Sequence, residues 1–169
     1  MRMHVRAERP EDHTAVRAIN LAAFDTATEA DLVDALRDQA DPVISLVAEQ
    51  DGAVVGHVMF TPVTWAEHPR LALMGLAPLA VAPPHQRQGV GSALVRAGLE
   101  ACREVGYGAV AVVGHPAYYP RFGFAPSSRF GIGCQFDVPP EVFMLTELVP
   151  EYLQGRTGTI RFHPAFDGL

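Results

Sequence analysis

The segment from Gly75 to Val113 constrains the fold more than any other part of this sequence. It opens with an apolar stretch, Gly75 to Ala82, which predicts a buried strand. A glycine-containing turn, Gln86 to Ser92, then leads into Val90 to Val105, whose apolar residues recur with helical spacing. Ala109 to Val113 is wholly apolar, as expected for a parallel strand covered on both faces. The segment therefore predicts a right-handed strand, helix and strand crossover.

The start of the predicted helix lacks a Ser, Thr, Asp or Asn at the N-cap, so its first backbone N–H groups need acceptors from elsewhere. A bound anion would supply them, and Gly89 and Gly91 would let the backbone approach it closely. Glycines also occur at such turns simply to allow a bend. The third glycine of a dinucleotide-binding fingerprint and the Gly-Lys-Ser/Thr of a Walker A loop are both missing, which excludes these two motifs.

Composition restricts the partners of the chain. A formal net charge of −6 disfavours nucleic acid and anionic membranes, because both reward a concentrated basic face. The length of 169 residues and the large apolar fraction fit one domain over residues 1–169. The N-terminal segment has no apolar core typical of a secretory signal, so we expect a cytoplasmic protein with Cys102 and Cys134 reduced. The spacing of histidines and cysteines gives no support for a metal site.

The rest of the chain alternates between strand and helix patterns. The pattern predicts a strand at Met3 to Ala7, helices at His13 to Phe24 and Thr28 to Ala40, hairpin arms at Val43 to Glu49 and Ala53 to Trp65, and strands at Phe143 to Val149 and Thr157 to Phe162. Asp51-Gly52 is typical of a tight hairpin turn. Thr28 and Asp31 predict a capping-box-like helix start. Pro78 predicts either an edge strand or a disruption of pairing at that point.

Two motifs in this order resemble the GNAT acetyltransferases: Leu79-Ala80-Val81-x-Pro83 with Gln86-x-x-Gly89-x-Gly91, and Tyr119-x-x-Phe122-Gly123-Phe124 after the next strand. Within that superfamily, Pro116 to Phe124 is similar to the bacterial YhbS-like group of predicted N-acetyltransferases. The resemblance extends well over about Arg2 to Phe124 and loosely beyond. It implies the α/β GNAT acyl-CoA N-acyltransferase fold: a central, mixed, twisted sheet flanked by helices, with a splayed parallel strand pair. Such a splay would accommodate Pro78.

The resemblance also implies a reaction, in which acetyl-CoA donates its acetyl group to a primary amine of a small molecule or protein. The implied cofactor-binding residues are Leu79, Ala80 and Val81, facing the pantetheine arm and acetyl carbonyl, and Gln86, Arg87, Gln88, Gly89, Val90, Gly91 and Ser92, around the pyrophosphate. Tyr119 aligns with the tyrosine that protonates the coenzyme A sulfur in many members of the family. Arg87 and Arg121 are candidates for phosphate contacts, and Arg121 is also a candidate for orienting the Tyr119 loop.

The general base cannot be identified from the sequence, because the strand Gly75 to Ala82 carries no Asp or Glu. Glu49, His57 and His115 are candidates by residue type, and a water relay is the alternative. Glu29 is suited to selecting a cationic amine or to stabilising a helix N-terminus. A non-catalytic acyl-CoA-binding or sensing module of the same fold, and a transferase for a longer acyl chain, remain competing interpretations. Homodimers are common among similar proteins.

Overall fold

A computed structural model describes residues 2–167, which contain nine β-strands and three α-helices. The strands are β1 (Met3–Ala7), β2 (Ile44–Gln50), β3 (Ala53–Trp65), β4 (Leu73–Val81), β5 (Ala109–Val113), β6 (Ala125–Pro126), β7 (Ile132–Cys134), β8 (Phe143–Glu147) and β9 (Gly158–Arg161). The helices are α1 (His13–Ala23), α2 (Thr28–Gln39) and α3 (Val90–Val105). The bounds of α3 and β5 are those that the sequence pattern predicts.

The main sheet has the strand order β1-β2-β3-β4-β5-β8-β6. Its neighbouring strands pair antiparallel, with the exception of β4 and β5, which are parallel and are joined by α3. Strand β9 pairs with the end of β3 and runs parallel to β7. The predicted mixed α/β sheet with a parallel crossover is therefore confirmed.

The parallel pair β4 and β5 separates half-way along β4. Leu73 to Leu76 pair with Ala109 to Val112, whereas from Ala77 onward β4 has β3 as its strand neighbour within the described residues. On the β3 side, Val58 faces Leu79 and Phe60 faces Leu76, so β4 carries one extra residue at a bulge next to Pro78. Pro78, which follows a cis peptide bond, thus lies in a central strand whose pairing is disrupted. The splay expected from the resemblance is present.

The hairpin between β2 and β3 turns at Asp51 and Gly52, whose φ angles are 52° and 83°. Positive φ at both positions is the requirement of a type I′ turn, which explains the Asp-Gly pair. Pro62 lies beyond Phe60, where the pairing of β3 with β2 ends, so a residue without an N–H is tolerated there.

The predicted capping box of α2 is wrong. Ala27 occupies the N-cap without a side-chain hydrogen bond, and Thr28 is already the first helical residue. The Thr28 N–H contacts the Thr26 hydroxyl at 3.3 Å, while the Asp31 carboxylate binds Arg17 of α1 at 2.9 Å. The Asp31 carboxylate therefore forms an ion pair with a neighbouring helix instead of capping α2.

The short strands β6 and β7 are also not predicted from the sequence, because segments of two and three residues are too short to show a periodic pattern.

Helix α3 covers one face of the sheet, and α1 and α2 cover the other. Successive residues in the central strands alternate between the two cores, as a strand period of two requires. Met59, Leu73 and Ala109 pack with α1 and α2, whereas Phe60, Met74 and Val110 pack beneath α3. Gly98 allows α3 to lie directly on the fully buried ring of Phe60.

We expect Gly98→Ala to destabilise the fold, although alanine is the better helix former. A Cβ at Gly98 would overlap the Phe60 ring, which is 0% exposed and has no space into which to move. Overpacking of this kind costs about 1–3 kcal/mol of unfolding free energy, measurable by urea denaturation. Gly133→Ala is the control, because a Cβ there meets no atom within 4 Å. A Gly98→Ala protein as stable as the wild type would contradict the tight contact.

Candidate active site

The turn before α3 presents a row of free backbone donors. Gly89 is the N-cap, with a left-handed φ of 85° and no side-chain cap, and the first helical bond runs from the Ala93 N–H to the Gly89 carbonyl. None of the six N–H groups from Arg87 to Ser92 donates a hydrogen bond within residues 2–167. A Cβ on Gly89 would meet nothing within 4 Å, so the space beside Gly89 is open. Free N–H groups at a helix N-terminus form an anion site.

Two side chains of the predicted cofactor motif stabilise this turn by hydrogen bonds to backbone carbonyls. The Gln86 amide donates to the Val81 carbonyl at 3.0 Å, and the Gln88 amide donates to the Pro84 carbonyl at 3.4 Å. Val90 is buried in the core beneath α3, so it offers its N–H alone. Arg87 has an exposed side chain and a φ of 62°.

Tyr118 joins the turn to the segment after β5. Its hydroxyl lies 3.4 Å from the Ser92 hydroxyl, and a Cβ on Gly91 would be 2.9 Å from the same oxygen. The guanidinium of Arg121 lies 4.5 Å from the centre of the Tyr118 ring, and its Nε donates to the Tyr118 carbonyl at 2.8 Å. These contacts are those expected of an arginine that orients the loop carrying Tyr119.

Tyr119 begins a 3₁₀ turn and is buried at 8% exposure. Its ring packs edge-on against Phe124 at 5.6 Å between centroids and leaves no space for a side chain at Gly114. Burial raises the pKa of the phenol well above its ordinary value, so the hydroxyl stays protonated at neutral pH. Within the described residues this hydroxyl makes no hydrogen bond. A protonated, unpartnered hydroxyl is available to a ligand.

A cleft of about 700 Å³ opens where β4 and β5 separate. Its walls include Phe24, Glu29, Ala77, Pro78, Leu79 and Tyr119. The segment after β7 adds Phe136, Asp137 and Val138, and the segment after β9 adds Phe162 and Phe166. The structure thus brings together Leu79, Tyr119 and Glu29, which the sequence singles out separately. The C-terminal wall is missed by sequence reasoning, because its only signal is a concentration of phenylalanines outside any clear periodic pattern.

None of the three candidate bases lines this cleft. Glu49 binds Arg6 at 3.1 Å on β1. His115 is exposed at the beginning of the loop that leads to Tyr119. His57 has no exposed surface at all. The structure therefore does not place any of these side chains where an amine could be deprotonated in the cleft.

His57, on β3, belongs to a buried hydrogen-bonded network with Asn20 of α1 and Ser45 of β2. The Ser45 hydroxyl donates to Glu8 at 3.0 Å and lies 2.8 Å from Nε2 of His57, so Nε2 carries the proton and donates to Ser45. Nδ1 then accepts from the Asn20 amide at 3.4 Å. Burial lowers the pKa of His57 to about 4, which keeps the ring neutral.

This network predicts a pH-dependent stability. Between the ordinary histidine pKa of 6.5 and the folded value of about 4, the unfolded chain binds a proton at His57 that the folded chain does not. Unfolding free energy therefore falls as pH drops through this window, by about 3 kcal/mol. His57→Gln should be less stable at pH 7 and lose less on acidification, as followed by urea denaturation from pH 7 to pH 4. Parallel curves for the two proteins would contradict a neutral His57.

The comparison with known families bears directly on this arrangement. Residues 11–124, which span the turn, the splay and Tyr119, match the acetyltransferase (GNAT) family. The chain belongs to the GNAT acetyltransferase family. Membership identifies it as an acyltransferase, and the splayed parallel pair is the expected GNAT feature.

Curated GNAT relatives support the assignment over nearly the whole chain. The N-acetyltransferase YhbS of Escherichia coli K12, described as uncharacterized, is 36% identical over 166 residues, which cover 98% of this chain and 99% of YhbS. YjhQ of the same organism, also described as an uncharacterized N-acetyltransferase, is 41% identical over 134 residues, or 77% of this chain and 74% of YjhQ. The resemblance to the YhbS-like group is confirmed.

Two solved GNAT structures contain the cofactor. E. coli YhbS in complex with CoA aligns with a TM-score of 0.92 at 35% identity, covering 98% of this chain and 92% of that one. A GNAT acetyltransferase from Brucella melitensis in complex with acetyl-CoA aligns with a TM-score of 0.80 at 34% identity, covering 98% and 99%. Over residues 2–167 of the present chain, no cluster of His, Cys, Asp or Glu could hold a metal ion, and no helix is long and apolar enough to cross a bilayer.

Proposed function

We propose that this chain is an acetyl-CoA-dependent N-acetyltransferase that transfers acetyl to a primary amine by direct attack on the thioester. The proposal rests on one observation: six free N–H groups, Arg87 to Ser92, open beside a splayed strand pair whose cleft is lined by Tyr119. The complexes of YhbS with CoA and of the Brucella protein with acetyl-CoA support it.

The donor residues fall into two groups. The N–H groups from Arg87 to Ser92 bind the pyrophosphate, aided by the positive end of the α3 dipole. Leu79 to Val81 lie on the part of β4 that has lost β5, so backbone groups on that side can bind the pantetheine arm and the acetyl carbonyl. The Val81 carbonyl already accepts from Gln86, which makes Leu79 and Ala80 the freer partners.

In the reaction the acceptor nitrogen loses two protons and the departing sulfur gains one. The ammonium of the acceptor first loses a proton, for which we favour a water relay because Glu49, His57 and His115 lie outside the cleft. The amine nitrogen then attacks the carbonyl carbon, the carbon–sulfur bond breaks, and Tyr119 gives its proton to the departing sulfur. The nitrogen releases its second proton as the amide forms, and that proton restores the Tyr119 phenol through water. A backbone N–H of β4 aimed at the carbonyl oxygen would stabilise its developing charge. The product is an N-acetyl amine with free CoA.

Thiol release from acetyl-CoA, measured across a panel of primary amines, tests this function. Amine-dependent release supports the transferase. No release with any amine, from a protein that binds CoA in calorimetry, would instead establish the acyl-CoA-binding or sensing module. Running the same panel with butyryl-CoA distinguishes a transferase that prefers a longer acyl chain. The chain has no lysine, so acetylation of its own lysines cannot contribute to the signal.

We further propose that the enzyme is a cytoplasmic protein with a single domain. Cys102 is buried and Cys134 partly buried, and both are free thiols, which fits a reducing cytoplasm. One continuous order of paired strands from β1 to β6 supports a single domain. Calorimetry and sizing of the purified chain would also show whether it forms a homodimer.

A further inference from the structure

The charge and polarity of the cleft lining indicate the class of acceptor, provided that the chain is the N-acetyltransferase proposed above. Among residues 2–167, its lining includes no arginine or histidine, and its ionisable carboxylates are Glu29 and Asp137. The other walls are largely apolar, with the phenylalanines Phe24, Phe136 and Phe162 among them. A volume of about 700 Å³ is within the range of pockets that enclose a small molecule. The cleft therefore favours a small ligand with a positive charge and an apolar body.

Glu29 differs from the acidic residues around it. Asp31 and Asp34 bind Arg17, and Glu8 binds Arg37 at 2.7 Å. Glu29 forms no ion pair within the described residues, and its Oε1 is out of contact with solvent and accepts no hydrogen bond. Glu29 lines the cleft and its charge is not neutralised by any cationic side chain of the described residues, so a ligand that brought a cation into the cleft would gain an ion pair there. The dipole of α2 accounts for an acid in the first turn, but not for the missing donor.

Glu29 would bind a cationic group, whereas the nitrogen that attacks the thioester must be uncharged. The attacking amine must be neutral, and a carboxylate beside it would favour the ammonium and slow the attack. Glu29 is therefore better suited to a second cationic group of the same molecule. The reacting amine then lies at the splay, near Leu79 and Tyr119, and aromatic walls support both the apolar body and the cation.

We propose that the acceptor is a small diamine or related dication with an apolar, ring-sized body, and that Glu29 binds its non-reacting cationic group. Glu29 acts as a specificity residue, because it contacts the acceptor away from the bond that forms. The acceptor class follows from the cleft walls, whereas the donor depends on the turn before α3.

The test compares 1,4-bis(aminomethyl)benzene with 4-methylbenzylamine, which differ in the second amine alone. We expect the wild type to use the diamine with a kcat/KM about 10-fold or more above that of the monoamine, mainly through KM. In Glu29→Gln the ratio should fall below about 3-fold, which is the loss of one charge contact. Glu104→Gln is the control, because Glu104 is exposed on α3 and outside the cleft, and it should keep the wild-type ratio.

Three results would overturn the proposal while leaving the proposed function intact. These are acetylation of both amines by the wild type without preference, a ratio that survives in Glu29→Gln whether or not it is lost in Asp137→Asn, and no use of either amine by a wild type that acetylates other amines of the panel. A loss of activity that is equal for both amines in Glu29→Gln keeps the ratio and belongs to the second of these. Calorimetric binding of CoA confirms that each variant is folded. Failure of the wild type to release thiol with every amine of the full panel, despite binding CoA, overturns the proposed function itself.

Discussion

Gly91→Glu is expected to weaken CoA binding by at least about 100-fold, or ~2.7 kcal/mol. Gly91 lies in the first turn of α3 among the free N–H groups, and its φ is not in the left-handed region, so the backbone accepts a side chain there. The new Cβ would lie 2.9 Å from the Tyr118 hydroxyl and 3.8 Å from Leu79 Cδ2. A glutamate would therefore occupy the space between the helix start and β4 and would place negative charge at the anion site.

Two further variants separate the causes of that loss. Gly133→Glu adds the same charge at a position where a Cβ meets nothing within 4 Å, and it should bind CoA as the wild type does. Gly91→Ala introduces the steric contact without the charge and should show a smaller loss. Isothermal calorimetry gives the dissociation constants, and thermal melting confirms folding. A Gly91→Glu affinity within about 3-fold of the wild type would rule out the proposed pyrophosphate site.

Tyr119→Phe is expected to lower kcat by about 100-fold or more, with little change in the dissociation constant of acetyl-CoA. The ring and its packing against Phe124 remain, so the variant removes the hydroxyl alone. Burial raises the pKa of this phenol, which keeps it in the proton-donating form across the neutral range. Steady-state rates combined with calorimetry separate catalysis from binding.

Tyr118→Phe is the matched control for that experiment. The Tyr118 hydroxyl lies near Ser92 and Gly91, on the pyrophosphate side, so its removal should affect the KM for acetyl-CoA more than kcat. A lower kcat in Tyr119→Phe and a higher KM in Tyr118→Phe would assign the Tyr119 hydroxyl to the thioester and the Tyr118 hydroxyl to the pyrophosphate. An unchanged kcat in Tyr119→Phe would leave Tyr119 a packing role.

The turn and the helix start to which we assign the donor are predictable because their signals are local. The period of the apolar residues in Val90 to Val105, the missing N-cap residue and the glycines at 89 and 91 all lie within one short stretch. Each of these three signals reflects the local backbone conformation, which does not depend on contacts with distant parts of the chain. Pro78 is similar, because a missing N–H in an apolar strand predicts disrupted pairing, which the bulge and the splay show.

The acceptor half depends on contacts between distant segments, which local patterns do not encode. Glu29 and Phe166 line one cleft although they are far apart in the chain. Asp31 is committed to Arg17 on another helix, which a capping rule applied to α2 alone cannot anticipate. His57 is attractive as a base by residue type, yet burial and its contacts with Ser45 and Asn20 remove it from the chemistry.

Strand β4 pairs with β5 over Leu73 to Leu76 alone, so among residues 2–167 the rest of β4 has no strand partner on that side. A donor lying along the free side of β4 would take the place of the missing strand. Binding would then complete the architecture as well as fill the site, and by mass action a ligand at 100 times its dissociation constant adds about 2.7 kcal/mol to folding stability. Binding of acetyl-CoA would thereby stabilise the folded chain as well as supply the acetyl group.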